Sequence, residues 1–209
     1  MVTDSEALQI LEDAGAFRAG HFVYTSGRHG DKYVNKDALY VTTREVSRLC
    51  EAMAARALEH APEAVIGPAV GAAILAQWTA HHLSLMTGED IAAVYADKDG
   101  QGGFVIKRGY DKVIKGKKVL VVEDLVTTGG SIKKVIDCVK NVEATIVGAI
   151  AICNRGGVTK KDISNPPLFE ALVNVHLSSW EEKECELCKR GIPVSVDVGH
   201  GKDFTAKKK

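Results

Sequence analysis

The run Val119-Leu-Val-Val-Glu-Asp-Leu-Val-Thr-Thr-Gly-Gly-Ser131 joins an apolar stretch, two acids and a glycine-rich loop. Its apolar start predicts a buried strand, and the residues from Gly130 predict a helix. Backbone N–H groups at the start of a helix, with hydroxyls beside them, form an anion site, and glycine lets the backbone approach a phosphate without a Cβ clash. Glu123 and Asp124 can accept hydrogen bonds from a ribose diol or help to hold magnesium. The run therefore predicts a site for a phosphorylated sugar, and the acid pair disfavours the alternative of a plain strand and capped helix.

Outward from this run, helical and extended patterns alternate along the chain. The predicted helices cover 5–16, a segment from Thr42 or Thr43 to 61, 72–85 and 130–139, and the predicted strands are two within 20–35, then 64–66, 91–95, 118–122, 144–152 and 171–175. The stretch 98–107 is expected to be irregular. This alternation predicts an α/β fold with a central, mostly parallel sheet flanked by helices. We expect one domain over 1–209, with a core of about 40–176 and a small hood formed by about 1–39 and 177–209 over the carboxyl ends of the strands, where ligands bind in such sheets.

Composition narrows the class of protein. The 209 residues include 27 Lys plus Arg and 27 Asp plus Glu, and this balance disfavours a nucleic-acid binder. No apolar stretch approaches the roughly 18 residues that span a bilayer, so no membrane association is expected. The first residues lack the basic and apolar regions of a secretory signal, which favours a cytoplasmic protein.

The five cysteines do not suggest a disulfide framework. Cys185 and Cys188 form the one CxxC of the sequence, and His176 and His200 flank it at poor spacing for a metal site. A structural zinc site normally needs four ligands. The sequence therefore favours reduced thiols and no protein-held metal, with zinc as the weaker alternative.

Four further segments carry chemistry-bearing residues. Ser26-Gly27-Arg28 predicts a tight turn in a cationic hairpin that suits a flat anion. Arg155 follows a strand beside glycines and can offer a bidentate fork to a carboxylate; a surface hairpin and an arginine paired with a neighbouring acid are the respective alternatives. The small residues of Gly67-Pro-Ala-Val-Gly71 let main-chain amides reach a ligand. The glycine-rich stretch from Asp97 to Gly109 has the composition of a mobile lid, against the alternative of a solvated loop with surface lysines.

The run from Glu123 to Ser131 resembles the phosphoribosyl pyrophosphate motif of type I phosphoribosyltransferases. The absence of GxxxxGK[ST] disfavours a nucleotide triphosphatase. The resemblance implies that Thr127 to Ser131 hold the 5-phosphate and that Glu123 and Asp124 address the ribose hydroxyls. It also implies that the turn from Gly67 to Gly71 contacts pyrophosphate.

Other segments resemble the orotate phosphoribosyltransferases within that family. These are Phe22-x-x-x-Ser-Gly-Arg28 with the following aromatic, Arg155 at the position that binds the orotate carboxylate, and Cys185-Glu-Leu-Cys-Lys-Arg-Gly-Ile-Pro193, typical of a subgroup with a shorter loop. The chain departs from the family at Thr25, where many members have lysine, and at Val70-Gly71, where many have Tyr-Lys. Its lid stretch also lacks the usual histidine, which leaves Lys98 as the best candidate there.

The resemblance implies transfer of a 5-phosphoribosyl group from phosphoribosyl pyrophosphate to orotate in pyrimidine biosynthesis, with Mg²⁺ bound mainly through the donor and a homodimer whose lid reaches the neighbouring subunit. The alternatives are a purine-base phosphoribosyltransferase and a regulator that senses phosphoribosyl pyrophosphate on the same fold. The implied residues are Lys98 and Asp124 for catalysis; Glu123, Asp124, Leu125, Val126, Thr127, Thr128, Gly129, Gly130, Ser131, Ala69, Val70 and Gly71 for phosphoribosyl pyrophosphate; and Thr127, Arg155, Ser26 and Arg28 for orotate.

Overall fold

A computed structural model describes residues 2–24 and 26–207. The α-helices are α1 (Asp4–Asp13), α2 (Thr43–Ala57), α3 (Gly71–Thr87), α4 (Tyr110–Ile114), α5 (Gly130–Asn141), α6 (Glu186–Lys189) and α7 (Gly201–Lys207). The strands are β1 (Phe17–Val23), β2 (His29–Val34), β3 (Ala64–Pro68), β4 (Ala92–Lys98), β5 (Phe104–Val105), β6 (Lys118–Val126), β7 (Thr145–Asn154) and β8 (Phe169–Asn174). Within the described ranges, no helix has both the length and the apolar character needed to cross a membrane.

The chain divides into two compact units. Residues 2–9 and 42–175 form the larger unit, and residues 10–41 and 176–207 form the smaller one. The sequence analysis placed the whole of the first helix in the hood, whereas the structure assigns residues up to Gln9 to the larger unit.

The larger unit is built on a mostly parallel sheet, as the alternation of elements predicted. Among the described residues the strand order is β5-β4-β3-β6-β7-β8. The neighbours from β4 to β8 are parallel, and β5 runs antiparallel to β4 at the edge. The predicted α/β class is therefore confirmed.

The apolar run at the start of β6 lies at the centre of this sheet. Residues Val119 to Val122 are fully buried because neighbouring strands flank β6 on each side and helices cover both faces. Val119 and Val121 pack into a core cluster with α5, and side-chain alternation directs Leu120 and Val122 to the opposite face, where α3 contacts the strand. A continuous apolar run is what a strand covered on both faces requires.

The strand order reverses between β3 and β6. From β3 the chain passes through α3 to β4 on one side, and it later returns as β6 on the other side of β3. In open α/β sheets such a reversal leaves a crevice outside the carboxyl ends of the two strands, because the connections leave in opposite directions. The segments that follow Pro68 and Val126 border this crevice.

Three local predictions were wrong in detail. The strand predicted to end at Val122 continues to Val126, so that both acids lie within it. The helix from Thr43 ends at Ala57, and a short 3₁₀ turn follows. The stretch 98–107 is not irregular throughout, because Phe104–Val105 pairs with the end of β4.

The smaller unit contains the predicted pair of short strands. β1 and β2 pair antiparallel, with Phe22 opposite Gly30 and Val23 opposite His29. His29 and Trp180 exchange two backbone hydrogen bonds of 2.8 Å, which tie the C-terminal segment to β2. Thr25, noted above for its departure from the family pattern, lies outside the described residues.

Candidate functional site

A pocket opens at the carboxyl end of β6 in the larger unit. It is a small, partly open concavity. Its lining consists of Glu123, Leu125, Val126, Thr127, Thr128, Gly129, Gly130, Ser131 and Ile132. The structure thus brings together, in one small polar concavity, most of the run that the sequence analysis assigned to a phosphorylated sugar.

The loop from Thr127 to Gly129 presents hydrogen-bond donors to this pocket. Thr127, Thr128 and Ser131 are exposed, and the N–H of Gly130 donates to the Thr128 hydroxyl at 3.5 Å. Gly129 precedes α5 with a φ of 76°, a conformation that costs glycine little. The first N–H groups of a helix have no partner within the helix and carry the positive end of its dipole. The pocket is therefore suited to a phosphate group.

The two carboxylates just before this loop are buried within the strand. Glu123 is 7% exposed and Asp124 is 5% exposed. Because they are adjacent in a strand, their side chains leave on opposite faces, and Glu123 alone of the two lines the pocket. One oxygen of Glu123 accepts from the Asp124 N–H at 3.1 Å, and one oxygen of Asp124 accepts from the Leu125 N–H at 2.7 Å. These contacts fix both carboxyl groups at the end of the strand.

A second loop leaves the neighbouring strand β3 at the same edge. Ala69 donates its N–H to Ala96 on β4, the peptide bond between Ala69 and Val70 is cis, and Val70 is 80% exposed just before α3. A Cβ placed on Gly67 would lie 2.3 Å from the backbone oxygen of Ala72. Only glycine permits this close return of the chain, which aims the start of α3 at the crevice.

The loop after β7 lies directly against the pocket loop. The Arg155 N–H donates to Val126 at 2.9 Å, and a Cβ on Gly156 would lie 1.6 Å from the Thr127 carbonyl oxygen. Buried Asn154 holds this loop, since its Oδ1 accepts from the N–H groups of Gly156 and Val158 at 3.3 and 3.1 Å. Arg155 was predicted from the sequence as a site residue, whereas Asn154 and Gly156 were not. An asparagine directly after an apolar strand, followed by glycines, was the available signal.

The stretch predicted as a mobile lid forms a β-hairpin between β4 and β5. One Asp99 oxygen accepts from the N–H groups of Gln101 and Gly103 at 2.7 and 2.8 Å. Lys98 is exposed at the end of β4. Arg108 approaches Asp97, with 3.5 Å between Nε and Oδ2, and its guanidinium lies over the Tyr95 ring. The exposed cations of this segment therefore stand at the carboxyl end of β4, next to the turn after β3.

We expect the Asp99 carboxylate to hold the hairpin turn. Hydrogen bonds from Gln101 and then Gly103 lower the pKa of Asp99 below its ordinary value. A folded-state pKa below the unfolded one contributes stability above the unfolded value of about 3.9, and that contribution is lost as the pH falls further. The protection factors of the Gln101 and Gly103 amides against hydrogen exchange should fall severalfold in Asp99→Ala at neutral pH, and in the wild type only under acid. Asp99→Asn, which keeps an acceptor oxygen, is the control, and equal protection in all three proteins would contradict this assignment.

The hairpin residues expected to contact the acceptor lie in the smaller unit. Ser26 accepts from the Arg28 N–H at 3.4 Å. The Arg28 side chain is engaged within its own unit, because Nε donates to the Ser179 hydroxyl at 3.0 Å and two other nitrogens donate to the Ser179 carbonyl and to Glu181, at 2.6 and 2.5 Å. Arg28 therefore also has a structural task that the sequence did not reveal, joining the hairpin to the C-terminal segment.

Comparison with known proteins agrees with this geometry. Residues 7–177 match the phosphoribosyl transferase domain family. The orotate phosphoribosyltransferase of Thermotoga maritima is 36% identical over 193 residues, which cover 92% of this chain and 97% of that enzyme. That of Thermoanaerobacter sp. strain X514 is 33% identical over 189 residues, which cover 90% and 94% respectively. The chain belongs to the orotate phosphoribosyltransferase family.

A solved structure supports the fold of this family member. The orotate phosphoribosyltransferase of Mycobacterium tuberculosis H37Rv, in complex with Fe(III) dicitrate, aligns with a TM-score of 0.68 at 22% identity, over 82% of this chain and 96% of that one. The resemblance of the run from Glu123 to Ser131 to a phosphoribosyltransferase motif is thus confirmed at the level of family and fold.

Proposed function

We propose that this chain transfers the 5-phosphoribosyl group from phosphoribosyl pyrophosphate to orotate, yielding orotidine 5-monophosphate and pyrophosphate for pyrimidine biosynthesis. The observation that carries the proposal is the phosphate-sized pocket at the point where the strand order reverses, with its exposed hydroxyls at the start of α5. Membership of the orotate phosphoribosyltransferase family supports the choice of acceptor.

The donor is assigned to the crevice between β3 and β6. Residues Thr127 to Ser131 take the 5-phosphate, and the carboxylate of Glu123, which lines the same pocket, takes the ribose hydroxyls. The resemblance implies a ribose contact for Asp124 as well, whose side chain leaves the strand on the opposite face. The amides of Ala69, Val70 and Gly71 take the pyrophosphate, since this turn stands one strand away at the same edge. Leu125 and Val126 contribute through their backbone, next to the pocket.

The chemistry asked of the protein is positioning and charge stabilisation. The ring nitrogen of orotate bonds to C1 of the ribose as the bond from C1 to the pyrophosphate oxygen breaks, and the nitrogen loses its proton. Lys98, exposed at the end of β4, is placed to offset the charge of the departing pyrophosphate. Arg155 and Thr127 of the larger unit are assigned to orotate, and the family resemblance implies the same role for Ser26 and Arg28.

The carboxylates of the larger unit fit a magnesium ion that is bound mainly through the substrate. Among the described residues of that unit, no three candidate ligand side chains converge on one point, so Glu123 and Asp124 could supply at most one or two carboxylate oxygens. Mg²⁺ is commonly held in this way, by few carboxylates together with substrate phosphates. When bound, it would neutralise charge on the pyrophosphate.

A homodimer in the cytoplasm is the proposed state of the enzyme. Val70 and Ile74, at the start of α3, are 80% and 39% exposed. They border an apolar concavity with Ala73 and Trp78, and apolar exposure of this kind is typical of a subunit contact.

The decisive experiment supplies the protein with Mg²⁺, phosphoribosyl pyrophosphate and each of orotate, uracil, adenine, guanine and hypoxanthine, and measures pyrophosphate release. Release with orotate alone is expected. Release with a purine base and not with orotate would show that the acceptor is a purine. Binding of phosphoribosyl pyrophosphate without turnover on any base would indicate a protein that senses this compound.

Glu123→Gln should lower kcat/KM for phosphoribosyl pyrophosphate roughly tenfold. The amide keeps the shape of the side chain but loses the charge, and hydrogen bonds to a charged acceptor are worth about 1.5–3 kcal/mol. KM for orotate should change little. Glu63→Gln, at the opposite end of the sheet where Glu63 accepts from the Lys118 N–H, is the matched control and should leave both constants unchanged. Unaltered donor kinetics in Glu123→Gln would remove this residue from the site.

A further inference from the structure

Four metal-ligating side chains converge within the smaller unit. His21 lies on β1, His29 begins β2, and Cys185 and Cys188 flank the start of α6 in the C-terminal segment. One ligand atom from each residue lies within 4.8 Å of all the others. Three of the four residues are buried and Cys188 is half-buried. The cluster combines residues that are more than 150 positions apart in the sequence, so the fold alone assembles it.

The distances within the cluster are close to those of a tetrahedral site. Zinc bonds of about 2.3 Å to sulfur and about 2.0–2.1 Å to nitrogen place neighbouring ligand atoms roughly 3.3–3.8 Å apart. Nε2 of His21 is 3.6 Å from each sulfur, and Nδ1 of His29 is 3.4 Å from the Cys188 sulfur. The two imidazole nitrogens are 2.8 Å apart, and this separation would have to widen by about half an ångström to match a tetrahedral zinc site.

The surroundings of His21 prepare it as a ligand. Its Nδ1 lies 2.7 Å from the carbonyl oxygen of Ile192, and because a carbonyl oxygen only accepts, Nδ1 must carry the proton. The lone pair is then on Nε2, the atom that faces the cluster. Histidines that bind metals typically donate their other N–H to a backbone carbonyl or carboxylate in this way, which fixes the tautomer and the ring orientation.

The Cys-x-x-Cys segment is also held by its own backbone. Lys189 donates its N–H to Cys185 at 3.1 Å and Gly191 donates to Cys188 at 2.9 Å, while Gly191 adopts a φ of 68°. This tight turn directs both sulfurs to the same side. His176 and His200 flank the cysteines in the sequence, whereas in the structure His21 and His29 of the hairpin lie beside them.

We propose that His21, His29, Cys185 and Cys188 bind one Zn²⁺ ion in a structural site. Two thiolates and two imidazoles in tetrahedral arrangement are a typical donor set for zinc. Since four protein ligands complete the coordination, no position is left open for a substrate or water. The ion would join the C-terminal segment to the β1–β2 hairpin, in a unit small enough to gain from a metal cross-link.

The first test is the metal content of the protein purified without chelator or a polyhistidine tag. One Zn²⁺ per chain is expected, with X-ray absorption showing about two sulfur neighbours near 2.3 Å and about two nitrogen neighbours near 2.0–2.1 Å. Replacement by Co²⁺ should give the visible absorption of a tetrahedral thiolate site. Substoichiometric zinc that desalting removes, or a coordination shell without sulfur, would overturn the proposal.

Single substitutions inside and outside the cluster test whether these four residues hold the ion. Cys188→Ser and His21→Ala should each lower the zinc content at least tenfold, whereas Cys138→Ser and His176→Ala, which lie outside the cluster, should retain it. Retention of zinc in Cys188→Ser, or its loss in both controls, would assign the ion elsewhere.

Measurements on the unaltered protein cover the case in which those variants do not fold. Burial raises the pKa of Cys50 and of Cys153 to about 12, so both thiols are neutral and inert at pH 7. Removal of zinc by a chelator should therefore expose Cys185 and Cys188 to alkylation, as mapped by mass spectrometry. It should also lower the Tm by about 10 °C or more. A Cys185–Cys188 disulfide in the freshly purified protein, or alkylation that a chelator does not change, would instead indicate a metal-free pair.

Discussion

Gly156→Ala is expected to lower kcat/KM for phosphoribosyl pyrophosphate by about a hundredfold or more. The added Cβ would lie 1.6 Å from the carbonyl oxygen of Thr127 and 2.5 Å from its carbonyl carbon. Neither atom can rotate away, because both belong to the backbone. The loop that forms the pocket must therefore shift by more than 1 Å, and a misplacement of about 1 Å in a positioned site costs on the order of 10²-fold in rate.

Gly157→Ala is the matched control for this substitution. Gly157 is the next residue, and a Cβ placed on it would meet no atom within 4 Å. Its φ of 63° makes alanine unfavourable, at about 1–2 kcal/mol. Gly157→Ala should therefore lose stability, seen as a lower midpoint of urea unfolding, while its donor kinetics stay within about twofold of the wild type. Equal kinetic losses in the two variants would show that loop strain, and not the contact with Thr127, determines the rate.

Arg155→Ala is expected to raise KM for orotate by about 10²- to 10³-fold and to leave KM for phosphoribosyl pyrophosphate nearly unchanged. A guanidinium holds a carboxylate through two charge-assisted hydrogen bonds, each worth about 1.5–3 kcal/mol. Arg155 directly follows β7 and is half-buried beside the pocket loop. Arg155→Lys should recover only part of the loss, since an ammonium group cannot offer the same planar fork.

Activity with uracil as acceptor distinguishes the loss of a carboxylate contact in Arg155→Ala from a general loss of activity. It has the ring of orotate without the carboxylate, so the wild type should use it poorly and Arg155→Ala should use it no worse. Lys161→Ala removes an exposed positive charge from the loop that follows and controls for long-range electrostatics. If Arg155→Ala impaired uracil as much as orotate, Arg155 would be a structural residue of the loop, and the assignment of orotate to it would fail.

Much of the larger unit could be predicted from the sequence because its signals are local. The apolar run from Val119 to Val122 marks a strand covered on both faces, whose side chains need no polar side. The glycines and hydroxyls that follow it mark an anion site at the start of a helix, whatever the rest of the chain does. These features predicted the sheet and the phosphate pocket before any contact was known.

Errors arose where a strand partner or a single hydrogen-bond acceptor, and not the local composition, determines the conformation. β6 continues past Val122 because β7 pairs with it as far as Val126, opposite Asn154, and that pairing cannot be read from Glu123 and Asp124 themselves. The glycine-rich stretch after β4 becomes a hairpin because the carboxylate of Asp99 binds two N–H groups of the turn. Flexible composition alone did not reveal this acceptor.

The run from Val119 to Ser131 by itself predicted a buried strand, the helix after it, an anion site between them and the resemblance to type I phosphoribosyltransferases, since each depends on neighbours within a few positions of one chain segment. The alternation of elements along the chain predicted the α/β class. Only the tertiary structure decided that Gly156 must be glycine and that Asn154 holds the loop beside the pocket. It alone decided that His21 and His29 meet the two cysteines. The physical reason is that Gly156 meets Thr127, and the two histidines meet the cysteines, from segments that are distant in sequence, which only the folded chain brings within a few ångströms of one another. Asn154 binds N–H groups only two and four positions away, but its place beside the pocket loop depends on the pairing of β7 with β6.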